Sequence, residues 1–147
     1  MKALLIITFL LPILFGFKSD KSYKADEIEG YWISPENDLI VKCYKYKDLY
    51  YSRVVWFKKY YDYEPINPNG VPENKWIGTV VMKNFKYSEN EWAGGEIHNL
   101  KNGKKYSAYL ELKSQNTLEV TGFVLFRFLS ETVQFTKYTN SSLPAFN

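Results

Sequence analysis

Between Lys105 and Lys113 the chain alternates without a slip. Tyr106, Ala108, Leu110 and Leu112 fall on one side of a two-residue period, and Lys105, Ser107, Glu111 and Lys113, with Tyr109, fall on the other. A period of two places successive side chains on opposite faces, so this segment reads as a strand with one face in a core and one in water. Ser114-Gln115-Asn116 punctuates the run, and Leu118, Val120, Gly122, Val124 and Phe126 then resume the inward face against Glu119 and Thr121. Phe123 and Leu125 break the polar side, as expected where a strand is covered on both faces, lies at a rim or meets a partner. Upstream, Trp92 to Tyr106 reads as two strands joined at Asn102-Gly103, because Asn-Gly accepts positive φ at both central turn positions.

The rest of the body repeats this grammar. Short runs rich in Val, Ile, Tyr, Phe and Thr are separated by turn residues, and no long helical period occurs. Strands are expected near Tyr31 to Ile33, Leu39 to Tyr46, Leu49 to Phe57, Trp76 to Phe85, Gly94 to Asn99, Lys105 to Lys113, Thr117 to Phe126 and Glu131 to Tyr138. An antiparallel meander of about eight strands either closes into an up-and-down barrel, which removes exposed edges, or folds into a two-sheet β-sandwich. The barrel is the expected architecture. From Lys58 to Lys75 the chain is irregular, with Pro65, Pro68, Gly70 and Pro72. A loop of that length serves as a lid or binding loop or is mobile. Tyr60, Tyr61 and Tyr63 at its start would pack it onto the barrel or line a pocket mouth.

Ahead of the body, Met1 and Lys2 precede an uncharged apolar run from Ala3 to Phe17. Fifteen apolar residues are too few to span a bilayer, and Pro12 suits a signal peptide better than a membrane helix. The expected organisation is therefore 1–17 signal peptide or uncleaved anchor, 18–29 polar linker, 30–138 a single β-barrel domain and 139–147 a C-terminal tail. Export to the periplasm or the extracellular side follows, with membrane attachment only if the N-terminal segment is retained. The lone Cys43 has no intramolecular partner, so no disulfide framework is expected, and its apolar neighbours give it the role of a small buried hydrophobe. Loss of Lys2 with the signal would take the formal charge from +3 to +2. Acidic and basic residues are interspersed, which speaks against a nucleic-acid partner. A basic and aromatic cluster of Lys42, Tyr44, Lys45, Tyr46 and Lys47 reads as a solvated strand face.

Gly30-Tyr31-Trp32 looks like the Gly-x-Trp that opens lipocalin-type barrels, where the Trp plugs one end beneath a basic residue from a late strand; Lys137 or Arg127 would be that residue here. The ordered set of Gly30-x-Trp32, Ile40-Val41, Leu49-Tyr50, Val54-Val55-Trp56, Trp76-Ile77-Gly78, Trp92-x-Gly94-Gly95-x-Ile97, Asn102-Gly103-Lys104-x-Tyr106 and Leu118-x-Val120-x-Gly122-Phe123 resembles the bacterial domain-of-unknown-function family numbered 2147. The resemblance spans roughly Gly30 to Lys137 and implies a small exported protein with a lipocalin-like barrel and no established activity. Two arginines that the family carries late in the chain are replaced, at Thr121 and in Ser130 to Phe135.

The chemistry-bearing residues are sparse. His98 is the sole histidine, and Glu96 lies two residues earlier on the same strand face, an arrangement able to move a proton but with no nucleophile beside it. One His, one Cys and scattered carboxylates give no metal-ligand spacing, and there is no phosphate loop. No cofactor is expected, and catalysis ranks below binding. The residues expected to line a pocket for a small apolar or amphipathic ligand are Trp32, Trp56, Trp76, Trp92, Tyr106 and Phe126. A barrel filled solidly by its own aromatics is the competing expectation. The corresponding alternative function is an envelope interaction protein that meets a protein or glycan through an outer aromatic surface.

Overall fold

The computed structural model describes residues 21–59, 67–124 and 130–145. The apolar run at 1–17, Tyr60, Tyr61 and Tyr63, and Phe126 and Arg127 lie outside the described residues. Eight strands follow one another in space as they do in sequence: β1 (Gly30–Ile33), β2 (Leu39–Tyr46), β3 (Leu49–Phe57), β4 (Val80–Ser88), β5 (Glu91–His98), β6 (Lys105–Ser114), β7 (Thr117–Phe123) and β8 (Ser130–Lys137). β8 pairs back onto β1 through Trp32 opposite Lys137 and Ile33 opposite Thr136, so the sheet is a closed antiparallel barrel rather than a sandwich.

The two ends differ because their turns differ. At one end, β2 to β3 and β4 to β5 are joined by the two-residue turns Lys47-Asp48 and Glu89-Asn90, with φ positive at all four positions. These are the primed hairpin turns whose twist matches the strands. The expected Asn102-Gly103 turn is not of this kind: only Gly103 has positive φ, and the connection runs from Asn99, whose N–H donates to Lys104 O at 2.9 Å. That six-residue connection lies at the opposite end, together with the links after β1, β3 and β7. One end is therefore drawn tight and the other left wide.

Segment 18–29, expected as a linker, caps the tight end over its described part. A 3₁₀ turn at Ala25–Ile28 drives Ile28 fully into the core, and Tyr23 is also buried. The Trp32 indole N–H donates to Ile28 O at 2.8 Å, and the Lys137 ammonium sits 4.6 Å over the Trp32 ring while donating to Glu29 O at 2.8 Å. Of the two basic residues named from the motif, Lys137 occupies this place. Gly30 makes room for it: its φ is +123°, and an added Cβ would lie 3.1 Å from Lys137 Nζ. The first glycine of Gly-x-Trp thus both turns the chain in a region side chains rarely enter and leaves space for the cation over the tryptophan.

Two differences from the strand pattern matter below. β4 starts at Val80 and not at Trp76, because Glu73–Lys75 forms a 3₁₀ turn and Gly78, at φ +81°, ends it. In β3 a register shift moves the pairing from Val41 opposite Val54 to Ile40 opposite Trp56, so the strand takes up one extra residue at Val55. Such a bulge reverses the phase of the side chains beyond it.

Candidate functional site

The inward residues of the barrel divide at mid-height. Toward the tight end, Trp32, Tyr50, Phe85, Trp92, Leu110 and Leu118 are essentially inaccessible and fill the interior. Trp92 packs against Tyr87 and Tyr50 at ring separations of 4.9 and 6.3 Å. Toward the wide end the packing among the described residues stops, and they leave a cavity of about 1170 Å³ between the strands. Leu39, Val41, Trp76, Met82, Ile97, Tyr106, Val120 and Phe135 form its walls. Cys43 and Ser52, directly opposite each other in the β2–β3 ladder, lie at its deep end. Gly122 contributes bare backbone to the wall, where a Cβ would meet Ile97 Cδ1 at 3.1 Å. The competing expectations of a ligand cavity and a solid barrel each describe one half of this interior.

The mouth is polar and held together by its own loops. Ser34 Oγ donates to Asp38 Oδ1 at 2.7 Å and accepts the Asp38 and Leu39 amides, which closes the β1–β2 turn. Lys101 Nζ faces Asp38 Oδ2 at 4.0 Å across the rim. Asn102 donates through its amide to the Tyr106 hydroxyl at 3.2 Å. The loop from Asn67 folds over the β5–β6 connection, since the Val71 N–H donates to Leu100 O at 2.8 Å. In turn, the Trp76 indole donates to Val71 O at 2.7 Å, and its ring packs 5.0 Å from Phe57. This pins Trp76 into the wall from outside the strand order.

Of the residues named from sequence, Trp76 and Tyr106 line the cavity together. Trp32 and Trp92 belong to the filled half and do not line it. Trp56 is buried, but the bulge at Val55 sets it out of phase with Phe57, opposite Ile40, and it does not line the cavity either. Phe126 lies outside the described residues. Most of the apolar wall comes instead from aliphatic residues, Val41, Met82, Ile97 and Val120, together with Cys43 and Ser52 below them. Their signal was their inward phase, not their residue type.

Cys43 is a buried thiol at the cavity floor, and loss of solvation pushes its pKa up to about 12. Burial thus favours the neutral thiol over the thiolate that would act as a nucleophile. The pairing that would let His98 and Glu96 move a proton is not made. Glu96 is held by Lys83 at 3.2 Å and Lys105 at 3.8 Å, and His98 is a rim residue. Partial burial, then the charges of Lys105 and Lys83, push the His98 pKa down, against an opposing pull from Glu96. A histidine with a depressed folded pKa takes up its proton more readily in the unfolded chain, so folding stability is retained above the ordinary value of 6.5 and falls as pH drops below it. Melting curves between about pH 8 and pH 5 should show this loss, and His98→Asn should remove the part centred on histidine. An unchanged profile in that variant would place the titration elsewhere.

Among the described residues no group of three or more His, Cys, Asp or Glu side chains converges on a metal-sized site. A closed eight-stranded meander with a tryptophan and lysine plug at one end and an apolar cup at the other is a lipocalin-like β-barrel. The family model "Uncharacterized protein conserved in bacteria (DUF2147)" matches residues 30–137, and the chain belongs to that family. Among solved structures the chain is similar to protein HP1028 from the human pathogen Helicobacter pylori, described as belonging to the lipocalin family. The TM-score is 0.57 at 14% identity, covering 77% of this chain and 84% of that one. At such identity the likeness speaks to fold. No curated protein matches the chain.

Proposed function

We propose that this protein is a non-catalytic binding module that holds a small apolar or amphipathic ligand in the open half of its barrel. The observation that carries the reading is the cavity of about 1170 Å³, apolar in its walls, polar at its mouth and sealed below by the tryptophan plug. Ligand sites in proteins have this character: an apolar body that supplies the free energy and a few polar groups that fix orientation. An aliphatic chain would descend along Val41, Met82, Ile97 and Val120, leaving a polar end among Asn99, Lys101 and Asn102. The apolar run from Ala3 to Phe17 supports export to the bacterial envelope as the setting.

Native mass spectrometry of protein purified from its own host tests this, before and after extraction with organic solvent. A reproducible added mass that extraction removes is the expected result, and its value assigns the ligand class. A ligand-free mass both before and after would favour the second reading, a protein- or glycan-contacting surface. For that reading the relevant observation is on the outer face of β2 and β3. Tyr44 stacks on Tyr51 at 5.8 Å, Tyr46 meets Tyr51 edge-on at 6.2 Å, and Arg53 lies 5.3 Å over Tyr44.

A further inference from the structure

The cavity floor contains a polar group that the fold itself does not use. Ser52 is 2% exposed, points inward between the buried Tyr50 and Val54, and lines the deep end of the cavity. Its ladder partners are Cys43 and Met82, and its hydroxyl makes no hydrogen bond to any described residue. Buried hydroxyls are normally paired, and the other two buried Ser and Thr hydroxyls among the described residues are: Ser34 bonds Asp38, and Thr121 meets Thr132 at 2.9 Å, while the unpaired buried atoms Trp56 Nε1, Trp92 Nε1 and Glu73 Oε1 belong to residues that do not line the cavity. The unspent hydroxyl at the bottom of an apolar cup is therefore a recognition group.

Building on the proposed binding role, we infer that the ligand carries an uncharged oxygen function, a hydroxyl or carbonyl, at the end that enters first, and that Ser52 receives it. A neutral function fits this end better than a charge, because among the described residues no cation lines the deep end to repay the desolvation, whereas a neutral oxygen needs only one partner. The length follows from the strand. From Ser52 to Phe57, β3 runs opposite Cys43 to Leu39, four ladder steps because Val55 is taken up in the bulge, roughly 13 Å along the strand. A tilt of about 40° brings this to roughly 10 Å along the barrel axis, the reach of the hydrocarbon part of a ten-carbon acid whose carboxylate stays at the rim.

Calorimetric titration with decanoate and with ω-hydroxydecanoate, on the wild-type protein and on Ser52→Ala, tests this. The two acids share a head group for the rim and differ only at the buried end. The wild type is expected to bind the ω-hydroxy acid at least as tightly as decanoate, although the extra hydroxyl must leave water. Ser52→Ala is expected to keep decanoate binding and to lose roughly tenfold for the ω-hydroxy acid. Without ligand, Ser52→Ala should melt at or above the wild-type temperature, because no hydrogen bond of the fold is removed. A lower melting temperature would show that the hydroxyl serves the fold and overturn the inference. So would a wild type that binds decanoate and rejects its hydroxylated analogue, which leaves the binding role intact. Failure of both acids to bind the wild type would overturn the binding role and this inference together.

Discussion

Trp32→Ala should cost this barrel more than any other single truncation, about 3–5 kcal/mol, seen as a fall in Tm of roughly 10–20 °C. Three losses coincide at that position. The ring is fully buried, so its removal leaves a cavity at the tight end. The Ile28 carbonyl loses the indole N–H at 2.8 Å and is left buried without its donor. The Lys137 ammonium loses the ring 4.6 Å beneath it, in a place where burial already lowers its pKa. Trp32→Phe should recover much of the packing but not the hydrogen bond, and should melt between the two. Because Trp32 does not line the cavity, ligand affinity in the folded fraction of Trp32→Phe should change little. Thermal and urea unfolding of the three proteins, with one titration of the Phe variant, measures all of this. A Tm for Trp32→Ala within a few degrees of wild type would show that the plug is not what closes the barrel.

A comparably large loss is expected from adding one methyl group at Gly95. A Cβ there would fall 2.4 Å from the Lys83 carbonyl oxygen and 2.4 Å from the Phe85 ring, and the first of these is backbone that cannot swing aside. Gly95 stands opposite Ala108, just past the register shift between Trp92 and Gly95, where β4 and β5 approach closely over the Phe85 ring. Overpacking of this kind costs about 1–3 kcal/mol where side chains can yield, and Gly95→Ala should reach the upper end or exceed it. Gly122→Ala is the control. Its Cβ meets only the end of the Ile97 side chain and Tyr106 Cβ at 3.7 Å and points into open cavity, so stability should stay near wild type. Equal Tm values for the two variants would contradict the packing described for β4 and β5.

The fold was legible because its information is local. Strict alternation in Lys105 to Lys113, resumed at Leu118, needs only a pleat and a core to be read, and β6 and β7 follow it. Gly30-x-Trp32 carried the plug, and Lys137 took the place a late basic residue was expected to fill. The site was less legible because depth along a barrel axis is set by register, which no single strand contains. Trp32 and Trp92 share the inward phase of Tyr106 yet lie in the filled half, a distinction visible only once the strands are paired. Trp56 was obscured by the unbroken apolar run from Val54 to Phe57, in which a bulge leaves no trace. Trp76 sits beside a strand-like apolar stretch, but the 3₁₀ turn before it and Gly78 after it keep it in the loop. Ser52 is a lone hydroxyl at an inward position of β3, and a single small polar residue carries no periodic signal of its own.

Fluorescence quenching by a fatty acid brominated along its chain would report whether the open half of the barrel takes an apolar chain. Of the four tryptophans, Trp76 lines the cavity, whereas Trp32, Trp56 and Trp92 do not. Saturable quenching of part of the emission is expected, abolished in Trp76→Phe and shifted roughly tenfold or more to higher ligand concentration in Gly122→Leu, whose side chain occupies the cavity. Quenching that does not saturate, or that persists unchanged in both variants, would contradict binding of such a chain.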